Sequence, residues 1–261
     1  MFSILRANSS RAVAPPLFDI SDISPDAWYE SSDTNNFSTT GNLVDQWDDI
    51  SGNAIHLAGP SGFEPSINLD TVNSLNAVTF NGDALSYGSL PFSGTSGHVF
   101  VVFQRGPESG GPGGSDQVLV SGGSNSGFGN DYTLEFSVEI DTNKAGIEGL
   151  TDINAGDTVL VDDTTYLVHY KSDGSTYSID VDGNGETISQ VSGSNTGDMW
   201  GDVDHGTTSD NFGIGRRFGT AFGQIVSFKG LMCEIVIKDS TLSAGEVTSV
   251  TDVLKTKWGI T

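Results

Sequence analysis

The densest group of chemically competent side chains lies in Gly197-Asp-Met-Trp-Gly-Asp-Val-Asp-His205. Asp198, Asp202 and Asp204 form an all-oxygen donor set that suits a hard divalent ion such as Ca2+. Trp200, Asp202 and His205, with Arg216 and Arg217 further on, suit a different chemistry: an aromatic face for a sugar ring, flanked by polar groups for its hydroxyls. Each feature has an ordinary structural counterpart. A chain with 34 acidic residues clusters some by chance. Trp200 can cap a core, and an arginine pair in acidic surroundings can form ion pairs. Asp180-Val-Asp182-Gly-Asn184 opens like a calcium loop, but the distal Glu is missing and a tight hairpin explains it better.

The rest of the catalytic inventory is thin. Cys233 lies inside the apolar run Leu231 to Ile237 and reads as a packing residue. As the only cysteine it forms no internal disulfide. His56, His98, His169 and His205 show no catalytic or metal-ligand spacing. The glycines fall in turns, and none opens a helix as a phosphate loop does.

The elements that must position these residues are strands. Val99-Phe-Val-Val-Phe103 is a continuous apolar run of strand length. Tyr132 to Ile140 alternates strictly, with Leu134, Phe136 and Val138 on one face and Glu135 and Glu139 on the other, solvated one. Val118 to Val120, Val159 to Val161, Thr165 to Tyr170, Thr176 to Val181 and Gly230 to Lys238 continue the series. Asp182-Gly183 supplies the positive φ angles of a tight hairpin, so three strands are expected as a meander from about 165 to 190. Residues 106 to 116 read as a long flexible loop. One helix is expected, after Leu242. Ser243 and Glu246 form a capping box, Val247, Val250, Leu254 and Trp258 share a stripe, Lys255 and Lys257 occupy the last turn, and Gly259 closes it.

The charge excludes some partners. Eleven Lys and Arg face 34 Asp and Glu over 261 residues, a formal net charge of -23. Nucleic acid and anionic membranes need a basic surface and are not expected partners. The acidity has two readings, a saline setting or an ordinary acidic extracellular β-protein. Residues 1 to 24 differ from the rest. Arg6 and Arg11 are the only charges before Asp19, and Pro15-Pro16 stiffens the segment. It reads as an extended arm ahead of a domain over 25–261. No secretion signal or membrane span is read in the sequence.

Four motifs then carry a resemblance: Ala27-Trp28-Tyr29-Glu-Ser-Ser-Asp33, Gln46-Trp47-Asp48-Asp49-Ile-Ser51-Gly52-Asn53 followed by His56, Ala77-Val78-Thr79-Phe80-Asn81-Gly82-Asp83, and the tail from Gly230 to Ile260. In order and spacing these resemble the concanavalin A-like lectin/glucanase superfamily in its laminin G-like branch, of the type found in structural proteins of tailed bacteriophages. The resemblance covers about residues 25 to 261. It implies an all-β, two-sheet antiparallel jelly-roll sandwich with one C-terminal helix. Such domains often hold Ca2+, so a calcium ion is the one cofactor it suggests. Glycosidases of the superfamily carry a Glu-x-Asp-x-x-Glu strand. The nearest stretch here, Glu139-Ile-Asp141-Thr-Asn-Lys144, has lysine in place of the last acid, so no enzyme is expected. The expected role is a virion structural protein, a head decoration or tail-associated protein on the particle surface. It would be held to the capsid or tail by residues 1–24 through Arg6, Arg11, Pro15 and Pro16, and a homo-oligomer fits that setting. The alternative is a carbohydrate-binding module for surface glycans, with Trp200, Asp202, His205, Arg216 and Arg217 as contacts.

Overall fold

The computed structural model describes residues 18–107, 117–124, 133–139, 142–149, 153–193, 195, 197–201, 203, 210–217 and 227–261. Eighteen strands and one α-helix lie among them. In chain order the strands are β1 (Ala27–Glu30), β2 (Phe37–Thr40), β3 (Leu43–Trp47), β4 (Leu57–Ala58), β5 (Ser66–Val72), β6 (Leu75–Asn81), β7 (Leu85–Tyr87), β8 (Ser96–Arg105), β9 (Gln117–Ser124), β10 (Thr133–Glu139), β11 (Lys144–Glu148), β12 (Ile153–Val159), β13 (Thr165–Asp173), β14 (Tyr177–Val181), β15 (Asn184–Gly185), β16 (Ser189–Ser192), β17 (Asp210–Ile214) and β18 (Lys229–Lys238). The helix α1 is Ala244–Trp258.

The strands pair antiparallel in two layers. In the back layer β6 and β1 lie end to end along one edge of β18, with β5 outside β6. Beyond the other edge of β18 come β8, β13, β14 and β15. The front layer runs β2–β3–β4–β7–β17–β9–β10–β11–β12–β16. The layers join at a corner where Leu43 pairs with Ser66. This is the antiparallel sandwich that the resemblance implies, built from the strands that the alternation predicts.

The inner core holds Val99, Val101 and Phe103 of β8 with Ile235, Ile237, Val168 and Tyr170, facing Phe136 and Phe212 of the front layer. The outer face of the same back strands, Phe100, Val102, Leu167, Cys233 and Val236, is covered by Val250, Leu254 and Trp258 of α1. That explains the unbroken apolar run at 99–103, since a strand buried on both faces has no solvent position. The helix starts where the capping box puts it. The Ser243 Oγ accepts the Glu246 N–H, and the Glu246 carboxylate accepts the Ser243 N–H at 2.7 Å. It stops at Gly259, whose φ of 71° is open to glycine.

Two expectations change. Asp182 (φ 52°) and Gly183 (φ 83°) make the expected turn, but the third strand of the meander is only Asn184–Gly185. The chain then crosses layers, and β16 pairs with β12. Glu186 fastens the crossing by accepting the N–H groups of Asp157 (2.8 Å) and Thr158 (2.6 Å). The second change concerns the arm. Residues 1–17, with Arg6, Arg11, Pro15 and Pro16, lie outside the described residues. Residues 18–24 pack on the domain instead of extending from it. A 3-10 turn at Ile20–Ile23, capped by Asp19, buries Ile20 and Ile23 in the outer core. Most of the loop at 106–116 also lies outside the described residues.

Candidate functional site

Those of the residues singled out for sugar or metal that the structure describes do not converge. Trp200 is fully buried, with ring centroids of Phe92, Phe136 and Phe212 at 4.9, 5.5 and 6.4 Å. It is a core residue and leaves no ring face for a saccharide, because so large an apolar ring gains more from the interior. Asp198 is half-buried, and its backbone carbonyl accepts the Tyr177 hydroxyl at 3.2 Å. Asp202, Asp204 and His205 lie outside the described residues. Among the described residues no three His, Cys, Asp or Glu side chains gather at a metal-sized point. Arg216 is buried with its guanidinium over the Phe63 ring, 5.0 Å from the centroid.

Arg217 is spent on two carboxylates, Glu148 at 2.8 Å and Glu135. Those glutamates are direct cross-strand partners on β10 and β11. Glu135 corrects the alternation reading. It does face away from Leu134 and Phe136, but that face is covered, and Glu135 and its cross-strand neighbour Ser121 are both fully buried. A carboxylate is tolerated there because a guanidinium neutralises it. At the nearest approach to the superfamily's acid strand, Lys144 lies directly opposite Glu139 in register. Asp141 is outside the described residues.

A more coherent site lies where two of the fold motifs meet. A cleft of about 380 Å3 is lined by Ser24, Asp26, Trp28, Ser51, Asn53 and Lys238 among others. Strand parity places Trp28 there: Ala27 and Tyr29 are fully buried inward, so Trp28 faces outward and stays partly exposed. Its indole is pinned, since Nε1 donates to Glu234 at 2.8 Å. The loop that carries Ser51 and Asn53 is organised by Asp49. Its carboxylate accepts the N–H groups of Trp28 (2.9 Å), Ser51 (2.9 Å) and Ile55 (3.1 Å) and the Ser51 hydroxyl (2.8 Å). The Asp49 N–H in turn donates to His56 Nδ1 at 3.1 Å. Asn53 Nδ2 ties this loop to the Asp26 carbonyl at 3.0 Å. Lys238 Nζ bridges the Ser24 carbonyl (2.8 Å) and the Asp26 carboxylate (3.2 Å). Asp26 also accepts the Asp239 N–H at 2.8 Å. The sequence signal for this site is an aromatic at the outward parity of a strand, next to an Asp-x-Ser-x-Asn turn.

Two buried polar clusters underlie the cleft's surroundings. Glu234 accepts from the indoles of Trp28 and Trp258 (2.7 Å) and from Lys257 Nζ (2.7 Å). Burial raises its carboxyl above the usual range, and Lys257 opposes that. On β8 and β13, His98 Nδ1 is 2.9 Å from His169 Nε2, and His169 Nδ1 is 3.0 Å from Asp180. The Leu242 N–H donates to His98 Nε2 at 3.0 Å. Burial, seconded by the neighbouring His169, pulls His98 down to about 3. Burial also lowers His169, against the pull of Asp180. Strand pairing makes this group from residues 71 and 11 positions apart.

No family model and no curated protein matches this chain. Several solved structures are similar in fold. A Trypanosoma rangeli sialidase with 2,3-difluorosialic acid, a covalent intermediate, superposes with a TM-score of 0.54 at 14% identity, over 88% of this chain and 32% of the sialidase. The K499G mutant of NanB sialidase from Streptococcus pneumoniae gives 0.50 at 19% identity, over 66% of this chain and 27% of that one. The CBM40 of Ruminococcus gnavus IT-sialidase, bound to α2,3 sialyllactose, gives 0.48 at 16% identity, over 61% and 83%. This chain thus spans about a third or less of the two whole sialidases. At these identities the likeness is one of fold: an antiparallel β-sandwich.

Proposed function

We propose that this chain is a non-catalytic carbohydrate-binding module, and that the cleft at the start of β1 holds the sugar. One observation carries the reading. The outward indole of Trp28 is pinned at Nε1 and stands beside Asp26, Ser51, Asn53 and Lys238 in one cleft. A fixed aromatic face with a few convergent polar groups suits a saccharide, and its pre-organisation lowers the ordering cost of binding. The volume of about 380 Å3 falls within the ~300–1,000 Å3 of small-molecule clefts. The fold's likeness to sialidases supports a carbohydrate setting. The chemistry favours a neutral sugar over an acidic one. Lys238 is already shared between Asp26 and the Ser24 carbonyl, and a chain of net charge -23 repels anions.

An array of neutral and sialylated glycans tests this. The expected result is reproducible binding of neutral oligosaccharides, weakened about tenfold or more by Asn53→Ala and by Trp28→Ala. An array with no binder, or with only sialylated binders, overturns it.

The basic residues of segment 1–24 favour a second setting for the same module, anchorage on a virus particle. Ile20 and Ile23 belong to the outer core, so the informative deletion is residues 2–17. Loss of particle incorporation with an unchanged fold supports that setting, and unchanged incorporation removes it. Whether this chain takes up Ca2+ is answered by calorimetry.

A further inference from the structure

His98 lies one strand from the cleft, on the same outer face. In register it is opposite Lys238 of β18 on one side and Lys171 of β13 on the other. Its protonation pattern is dictated by the backbone. The Leu242 N–H can only donate, so His98 Nε2 accepts and the His98 proton is on Nδ1. That N–H donates to His169 Nε2, which places the His169 proton on Nδ1, aimed at Asp180. Both rings are therefore neutral, and every site along the line is used once. A second proton on His98 would set N–H against N–H at Leu242 and add a cation between two lysines.

We propose that the His98–His169–Asp180 chain is a proton-operated latch on the cleft. Mild acid parts Leu242 from His98 and loosens the segment 239–242, which the Asp239 carboxylate still ties to the N–H groups of Ser93 (3.0 Å) and Gly94 (2.9 Å). Asp26, which the Asp239 N–H holds, loosens with it, and the bound sugar is released. This rests on the cleft being the sugar site.

The charged and titratable groups facing His98 are His169 and Lys171 from β13, Asp180 from β14, Lys238 from β18 and Glu246 from α1. Burial, His169 and Lys171 oppose its protonation, while Asp180 and Glu246 favour it. In the closed state His98 titrates at about 3, against an ordinary 6.5. The closed form is thus favoured above 6.5 and loses ground as pH falls through the window down to about 3. Each unit in that window shifts the balance about tenfold toward the open form for this ring alone.

Amide hydrogen exchange on the full chain tests the latch at about pH 7.5 and about pH 5, scaled to intrinsic rates. The expected result is a loss of protection of about tenfold or more at the Asp239 and Leu242 amides in acid. His98→Gln can still accept the Leu242 N–H but does not titrate, so it should show little change. Equal wild-type protection at both pH values, or the same loss in His98→Gln, overturns the latch. Should the variant not fold, imidazole 15N NMR of the wild type decides: a neutral-pH proton on Nε2 of His98 overturns it. A glycan retained at about pH 7.5 should elute from the wild type at about pH 5. If it stays bound while protection falls, the link to the cleft is overturned. If no glycan binds at all, the sugar reading fails and the exchange result still reads the latch.

Discussion

The helix α1 rests on two buried polar clusters, one near each end, and they are opposite in kind. Near its last turn, Glu234 takes three donors, two indole N–H groups and an ammonium. Ahead of its first turn, His98 and His169 form a line of neutral rings that ends on Asp180. Burial raises the carboxyl of Glu234 and lowers both imidazoles. The signs then oppose each other. A lowered histidine gives stability that is complete above its unfolded value and is lost as pH falls. A raised carboxyl favours folding more as pH falls, because the folded state holds the proton more tightly. Acid therefore loosens the helix at its start and leaves its end docked. A fold with one kind of buried polar group under both ends would respond as a unit.

That contrast can be broken in several places. The largest effect is expected at Glu234. Glu234→Ala strands the Trp28 and Trp258 indoles and leaves the Lys257 ammonium with Glu30 alone (2.7 Å), and should cost about 2–4 kcal/mol in urea unfolding at neutral pH. A loss below about 1 kcal/mol would mean that the cluster is not a structural centre. Next comes the pH slope. Between pH 6.5 and 5, wild-type stability should fall by about 1.7 kcal/mol in all for His98 alone, steepening toward about 1.4 kcal/mol per unit, and His98→Gln should flatten the curve. A slope that survives the substitution assigns the acid response elsewhere. Ser243→Ala removes the helix cap and should cost about 1 kcal/mol, with faster exchange in the first turn only. The smallest effect is expected at Lys171, partly exposed and 3.8 Å from Asp180. Lys171→Met should change stability by less than about 1 kcal/mol, while easing His98 protonation by removing an opposing charge.

What the sequence disclosed and what it hid follow one physical division. The helix was fully legible because its signals are local: Ser243 and Glu246 three residues apart, a stripe at helical spacing, and Gly259 after it. The Asp182-Gly183 turn was legible for the same reason. The clusters were not. His98 and His169 meet because β8 and β13 pair in one particular register, and no spacing in the chain reveals a register. The burial of Glu135 is hidden because alternation tells which side chains share a face, not what covers that face. Trp200 has acidic neighbours in the chain, which suggest a site, while its own ring lies in the core. Trp28 was legible as part of a fold motif and not as a site, although Ala27 and Tyr29 flank it as inward residues. The crossing after Asn184 was hidden because Glu186 anchors to β12, some thirty residues earlier in the chain.

Cys233 turns this architecture into its own recorder. It is the single thiol of the chain, buried under Val250, Leu254 and Trp258, and burial holds it far from its reactive thiolate form. A thiol reagent therefore reaches it only when the body of the helix lifts away. The labelling rate serves as a clock for full undocking, separate from fraying at the first turn. Slow labelling at a pH where the Leu242 amide has already lost protection would time the two ends of the helix independently, in the native chain and without an added probe.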